Sequence, residues 1–262
     1  MTTLADRTIA ALRANHDELA VLVPDLSDAQ LRRPSGAAEW SVAQVLSHLG
    51  SGSEIGLAVL TATLDGDPLP GQEFNEGVWQ RWNALDPRAQ ATGFVEHSDR
   101  LVAAFESLSS EQRENVRVDL GFLPDPLPLA AVAGMRLNEL ALHSWDARVA
   151  LDPHAALFGD TAEVLVEQLL GYLGFMIGFV GKADAVAEPA VVAVEGSKVG
   201  IVIADKVALT DAVTQPTATF VGPLEAVIRL LAGRLDAAHT PAGVAVTGAL
   251  SLDDLRKVFP GY

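Results

Sequence analysis

The stretch "LNELALHSWDARVAL", residues 137–151, sets Glu139 and His143 four residues apart in a run otherwise rich in leucine and alanine. At about 3.6 residues per turn both lie on one helix face, and Arg136 and Asp146 extend that polar stripe in either direction. Two chemistries fit. A carboxylate and an imidazole one turn apart can be two ligands of a metal ion that takes a third from elsewhere. Alternatively the stripe faces water, with Arg136 pairing to Glu139 and His143 to Asp146 for about 0.2–0.5 kcal/mol each. Leu137, Leu140, Ala141, Ala147 and Leu151 would then form the buried face. The segment by itself leaves both readings open.

A candidate third ligand, His48, stands in "EWSVAQVLSHLG". Ser41 and Gln44 have capping-box spacing, and Trp40 and Val45 occupy the two positions of a hydrophobic staple, so a helix starts here. It runs to about Leu64, where "DGDPLPGQ" breaks it. His48 follows Val45 by three residues and adjoins Leu49, which puts it on or at the edge of the packing face. There a histidine serves either as a boundary residue or as a ligand. Joined to Glu139 and His143 it completes two imidazoles and one carboxylate on facing helices, a set suited to Zn²⁺ or another divalent first-row metal with a coordination position left open.

The elements that must position these residues are helical over the first 180 positions. Apolar spacing predicts helices over 3–22, ended by Pro24, and over 87–108, besides those carrying His48 and Glu139. Four helices with intervening turns imply an antiparallel bundle. A fifth helical stretch, 161–180, either packs on that bundle or bridges to the C-terminal part of the chain. After "GKADAVAEPA" the texture changes. "AVVAVEG", "VGIVIAD", "TATFVG" and "GVAVTG" read as strands, and "PLEAVIRLLAGRL" and "LDDLRKVF" as helices. The expected fold class is α + (α+β): a helical bundle over 1–155, a helical connector over 156–184, and a small α+β domain over 185–262.

Composition narrows the chemistry. The 262 residues include no cysteine, which removes disulfides, thiolate metal ligands and a cysteine nucleophile. With 34 acidic against 18 basic residues the formal charge is −16, which opposes a nucleic-acid surface. It also opposes capture of anionic small molecules unless a local arginine overrides the global field. The first twenty residues lack the pattern of a signal peptide, and the longest apolar run, "LLGYLGFMIGFVG", is short and glycine-broken. The expectation is a cytoplasmic protein with no membrane partner.

Taken together, "WSVAQVLSHL", "RLNELALHSWDARVAL" and "TATFVGPLEAVIRLLAGRLD" resemble, in that order, segments of the mycothiol-dependent maleylpyruvate isomerase family. The likeness spans nearly the whole chain. It implies a DinB-like metal-binding four-helix bundle followed by a sterol-carrier-like α+β domain, with His48, Glu139 and His143 as metal ligands. Asp146 either orients a ligand imidazole or is a helix-surface carboxylate, and Trp145 reads as core or wall. The segment "FNEGVWQRWNALDP" resembles the region where the isomerases supply an arginine, which makes Arg81 a candidate catalytic residue against a solvated helix arginine. Arg234 in "AGRL" matches the family's Gly-Arg, and is either a catalytic arginine near a cleft between the domains or a structural one. His16 has acidic neighbours and reads as exposed, His97 as a helix-face residue, and His154 and His239 as turn residues.

The resemblance implies an enzyme, an isomerase or thiol transferase, that uses zinc and mycothiol or a similar low-molecular-weight thiol on an electrophilic small molecule. Bound to the metal the thiol is a thiolate. It adds to a cis double bond, permits rotation, and departs from the trans product; a transferase stops at the adduct. Two alternatives stand beside it: a metal-dependent hydrolase, and a non-catalytic ligand-binding or regulatory module on the same fold.

Overall fold

The computed structural model describes residues 2–37 and 39–261. Its contacts divide the chain into two compact units, one through Gly159 and the other from Asp160 onward.

In the first unit, helix α1 (Leu4–Leu22) leads through a 3₁₀ turn into the one-turn α2 (Asp28–Leu31), followed by α3 (Val42–Asp65), α4 (Gln72–Asn83), α5 (Pro87–Ser107) and α6 (Ser110–Asn115). A two-residue hairpin, β1 (Arg117–Val118) with β2 (Leu127–Pro128), precedes α7 (Leu129–Val149). The long helices α1, α3, α5 and α7 form the bundle, α3 packing on α5 and α7, and α1 on the same two. Apolar spacing explains the choice of faces. Leu12 and Leu19 of α1, Val45, Leu46 and Leu49 of α3, Phe94 and Phe105 of α5, and Leu137 and Leu140 of α7 are all buried.

The start of α3 is fixed by the expected capping box: Gln44 N donates to Ser41 Oγ at 3.3 Å and Ser41 N to Gln44 Oε1 at 2.9 Å. Its end comes at Gly66, whose φ of 72° suits a residue without a Cβ. Two glycines elsewhere serve close approach. The buried Trp82 ring lies against Gly50 of α3 and Gly93 of α5, and a methyl group at Gly50 would overlap it. Gly50→Ala is expected to destabilise the protein by about 1–3 kcal/mol through overpacking, measured as a lowered urea midpoint; an unchanged midpoint would show that Trp82 can move aside.

One histidine departs from its expected place. His16 is buried, not exposed, beside Phe94, and its Nδ1 finds no partner among the described residues. Its acidic neighbours are instead engaged by Arg13, which bonds Glu106 through Nε and Nη2 and reaches Asp17 and Asp99 through Nη1. Burial first, and then the Arg13 charge, lower the His16 pKa below its ordinary 6.5, against the opposite pull of Asp99 and Asp17. As pH falls through that ordinary value the unfolded chain takes up a proton that the folded chain resists, so stability falls with it. In metal-free protein, His16→Gln is expected to flatten the loss of urea midpoint between about pH 7 and 5. Parallel profiles for variant and unaltered chain would refute this.

The second unit begins with α8 (Thr161–Leu170) and α9 (Gly174–Val180). The sequence suggests one helical stretch here; the structure breaks it at Gly171 and groups both pieces with the C-terminal unit, α8 packing on α10 and α9 on β5. No single helix among the described residues is long and apolar enough to cross a membrane; α8 and α9 reach that composition only as a pair bent by 88°. Strands β3 (Ala190–Val194), β4 (Gly200–Ile203), β5 (Val207–Thr210) and β6 (Ala218–Val221) precede α10 (Leu224–Leu231), β7 (Ala245–Gly248) and α11 (Leu252–Val258). They form one sheet in the order β5-β4-β3-β6-β7, antiparallel except for the parallel β3–β6 pair. Alternation sets its inner face: Ala190, Val192 and Val194 are buried while Val191 and Ala193 are half-buried. The helical first part and sheet-containing second part are the expected fold class. Strand β5 escapes the sequence reading because "VALT" is short and directly follows a turn.

Candidate metal centre

His48 projects from the second turn of α3, and Glu139 and His143 from the middle of α7. Because α3 and α7 pack together, the three side chains meet across 91 residues of intervening chain. His48 Nε2 lies 2.9 Å and His143 Nε2 3.6 Å from Glu139 Oε2, and the three candidate ligand atoms all lie within 4.8 Å of one another. Donors sharing one zinc at about 2.0–2.2 Å stand roughly 3–4 Å apart, so the set needs little movement to hold such an ion.

The surroundings prepare each donor. His143 Nδ1 donates to Asp146 Oδ2 at 2.8 Å, which fixes the ring orientation and leaves Nε2 as the atom facing Glu139. Asp146 is itself fully buried, and its backbone carbonyl accepts from Gly36 N at 2.8 Å. Burial alone pushes the Glu139 carboxyl up; the hydrogen bond from His48 and the positive potential of His143, His48 and Arg136 outweigh it and bring the pKa down to about 2. The group is therefore a carboxylate at neutral pH. Trp40 covers both imidazoles, its ring 5.1 Å from that of His48 and 5.9 Å from that of His143. Trp145 is core, bonded through Nε1 to the Ala155 carbonyl.

The polar stripe of α7 thus turns toward α3 and the cavity rather than lying on an open helix surface, although Glu139 is 36% exposed there. His143 is only 12% exposed, and Arg136 does not bond Glu139. Its Nη2 donates to Leu49 O and to Ser53 Oγ, both at 2.7 Å, so it ties α7 to α3. Burial lowers the Arg136 pKa to about 10, against the raising effect of Glu139. Beside the cluster a cavity of about 500 Å³ opens within the same unit. His48, Arg136 and Glu139 line one part of it, and Ile55, Val59, Leu101, Phe105, Val132 and Met135 supply much of the rest.

Two residues here were missed by sequence reasoning in any site role, Trp40 and Arg136. The signal for Trp40 was present, since a staple residue sits beside the helix start that leads to His48. Arg81, in contrast, is not brought to the cluster. It pairs with Glu54, whose other oxygen accepts from Trp82 Nε1, and it is 58% exposed and absent from the cavity wall. Its partner Glu54 stands six residues beyond His48 on α3, and so on a different side of that helix. Arg234 lies in the C-terminal unit, where its Nη1 donates to the Ala232 carbonyl at 3.0 Å.

The sequence model of the mycothiol maleylpyruvate isomerase N-terminal domain matches residues 12–148, more than half of the chain, and that span holds all three candidate ligands. The chain belongs to this family. Similarity of fold extends further. A crystal structure of the mycothiol-dependent maleylpyruvate isomerase shares 19% identity with a TM-score of 0.64, over 95% of this chain and 98% of that one. A crystal structure of its histidine-to-alanine mutant gives 18% identity and the same TM-score and coverage. No curated protein matches the chain by sequence.

Proposed function

We propose that this protein is a metal-dependent enzyme of the maleylpyruvate isomerase type, using mycothiol or a similar low-molecular-weight thiol on an electrophilic small molecule. The observation that carries the proposal is the convergence of His48, Glu139 and His143 at the wall of an apolar cavity inside the bundle. Two imidazoles and an ionised carboxylate, one imidazole oriented by a buried aspartate, are the donor chemistry of a catalytic divalent-metal site, with zinc as the first candidate. A dication held there supplies Lewis acidity and keeps a bound thiol as thiolate at neutral pH. The chain's own residues do the rest: Asp146 fixes the donor face of His143, Trp40 shields the rings, and the apolar walls exclude water from the reacting groups.

Chelation is expected to abolish turnover and zinc to restore it. The assay incubates chelated and zinc-loaded protein with a panel of α,β-unsaturated carbonyl compounds, maleylpyruvate included, with and without mycothiol, following product and thiol titre together. An isomerase leaves the thiol titre constant and a transferase lowers it in step with product. Thiol-independent hydrolysis, or metal-loaded protein that neither binds nor consumes a thiol, would overturn the proposal. Arg234 enters as a substrate contact on the family pattern alone. Arg234→Lys keeps the charge but loses the bidentate fork, and is expected to raise KM; an unchanged KM removes it from the site.

A further inference from the structure

The cavity beside the candidate metal centre has a composition that its neighbour's chemistry does not require. At about 500 Å³ it is in the range that encloses a drug-sized ligand, and its wall is built mostly from aliphatic and aromatic side chains of α3, α4, α5, α7, the α3–α4 connection and the β1–β2 loop. Among the described residues, Arg136 is the one arginine or lysine that lines it. Arg136 gives its Nη2 hydrogens to Leu49 O and Ser53 Oγ, and among the described residues no acceptor is recorded for Nη1 or Nε. Glu139, the acid that offsets its charge, is engaged by His48. A guanidinium held at an apolar wall with donors to spare is suited to one carboxylate of a ligand.

The rest of the wall disfavours a second anionic group. The other acids on it are Glu139 and Asp119, the latter an exposed residue of the β1–β2 loop that accepts from Gly121 N. Much of the remaining lining is Ile55, Val59, Leu101, Phe105 and Val118, which offer a carboxylate no partner, and the polar Asn75 on it is a neutral amide that brings no compensating charge. A short dicarboxylate would fill little of this volume and, with Arg136 taking one carboxylate, would find no second arginine or lysine on the wall. We infer that the electrophile taken by this site has one carboxylate, bound by Arg136, and an extended apolar body that fills the cavity. The inference rests on the proposed enzyme reading for what the ligand is, a substrate, and on the cavity alone for what it looks like.

The test is calorimetric, with probes that do not react: octanoate, 1-octanol and maleate, titrated into metal-free and zinc-loaded full-length protein. Octanoate is expected to bind at least about tenfold more tightly than either of the others in both forms. Shortening it is expected to weaken binding by about fourfold per methylene removed. Arg136→Gln should bring octanoate down to the affinity of octanol, and Val59→Trp, which narrows the cavity, should lower the chain length at which affinity stops rising. The inference is overturned if maleate binds as tightly as octanoate, if octanol matches octanoate, or if the carboxylate preference appears only with zinc or survives Arg136→Gln. Should Arg136→Gln fail to fold, the comparison of probes on the unaltered chain still decides. Because no thiol or turnover enters, octanoate binding without any thiol-dependent reaction would sink the enzyme reading alone, and thiol-dependent turnover without octanoate binding would sink this one alone.

Discussion

His48→Ala protein is expected to bind zinc on the order of 100-fold more weakly than the unaltered chain and to lose thiol-dependent turnover with it. Apparent zinc-binding free energies of about 10–16 kcal/mol shared among four ligands correspond to roughly 3 kcal/mol for each, or about two powers of ten. His48 is the proposed ligand from the other helix, so its loss would remove the cluster's donor on α3 and leave Glu139 and His143, one turn apart on α7, to bind alone. His48 is 38% exposed at the cavity wall and makes its recorded hydrogen bond to Glu139, so the bundle should survive the change. Competition against a chromophoric chelator measures the affinity. Full metal stoichiometry at unchanged affinity would mean that the three side chains are a structural hydrogen-bond cluster and nothing more.

Asp146→Asn should lower zinc affinity by about 10–100-fold although residue 146 is not a proposed ligand. The carboxylate accepts from His143 Nδ1 and so determines that Nε2 carries the lone pair. An amide in the same place can present its NH₂ instead of its oxygen and reverse that choice, and it no longer favours positive charge on the ring. The diagnostic comparison sets metal affinity beside the unfolding midpoint of metal-free protein. Loss of stability with intact affinity would assign Asp146 to folding alone.

Local signals in the chain were enough to locate much of this. The capping box at Ser41 and Gln44 depends on side chains three residues apart and forms as expected. The one-turn spacing of Glu139 and His143 makes them neighbours in any helix, and β-branched runs after residue 189 mark strands whatever they pair with. These readings need only the helical or extended period of the backbone. What a face meets is another matter. The same stripe on α7 suits solvent or a metal, and only the packing of α3 against α7 brings His48 to it and buries Asp146. Tertiary packing alone also buried His16 despite its acidic neighbours, because Arg13 reaches across from α1 to take Glu106 and Asp99 of α5. It turned Arg81 to Glu54, grouped α8 and α9 with the sheet, and set Arg136 against backbone and hydroxyl acceptors of α3 with its remaining donors at an apolar wall. Period tells which residues share a side of an element; the partner of that side is chosen by the fit of surfaces from distant parts of the chain, which no local spacing encodes.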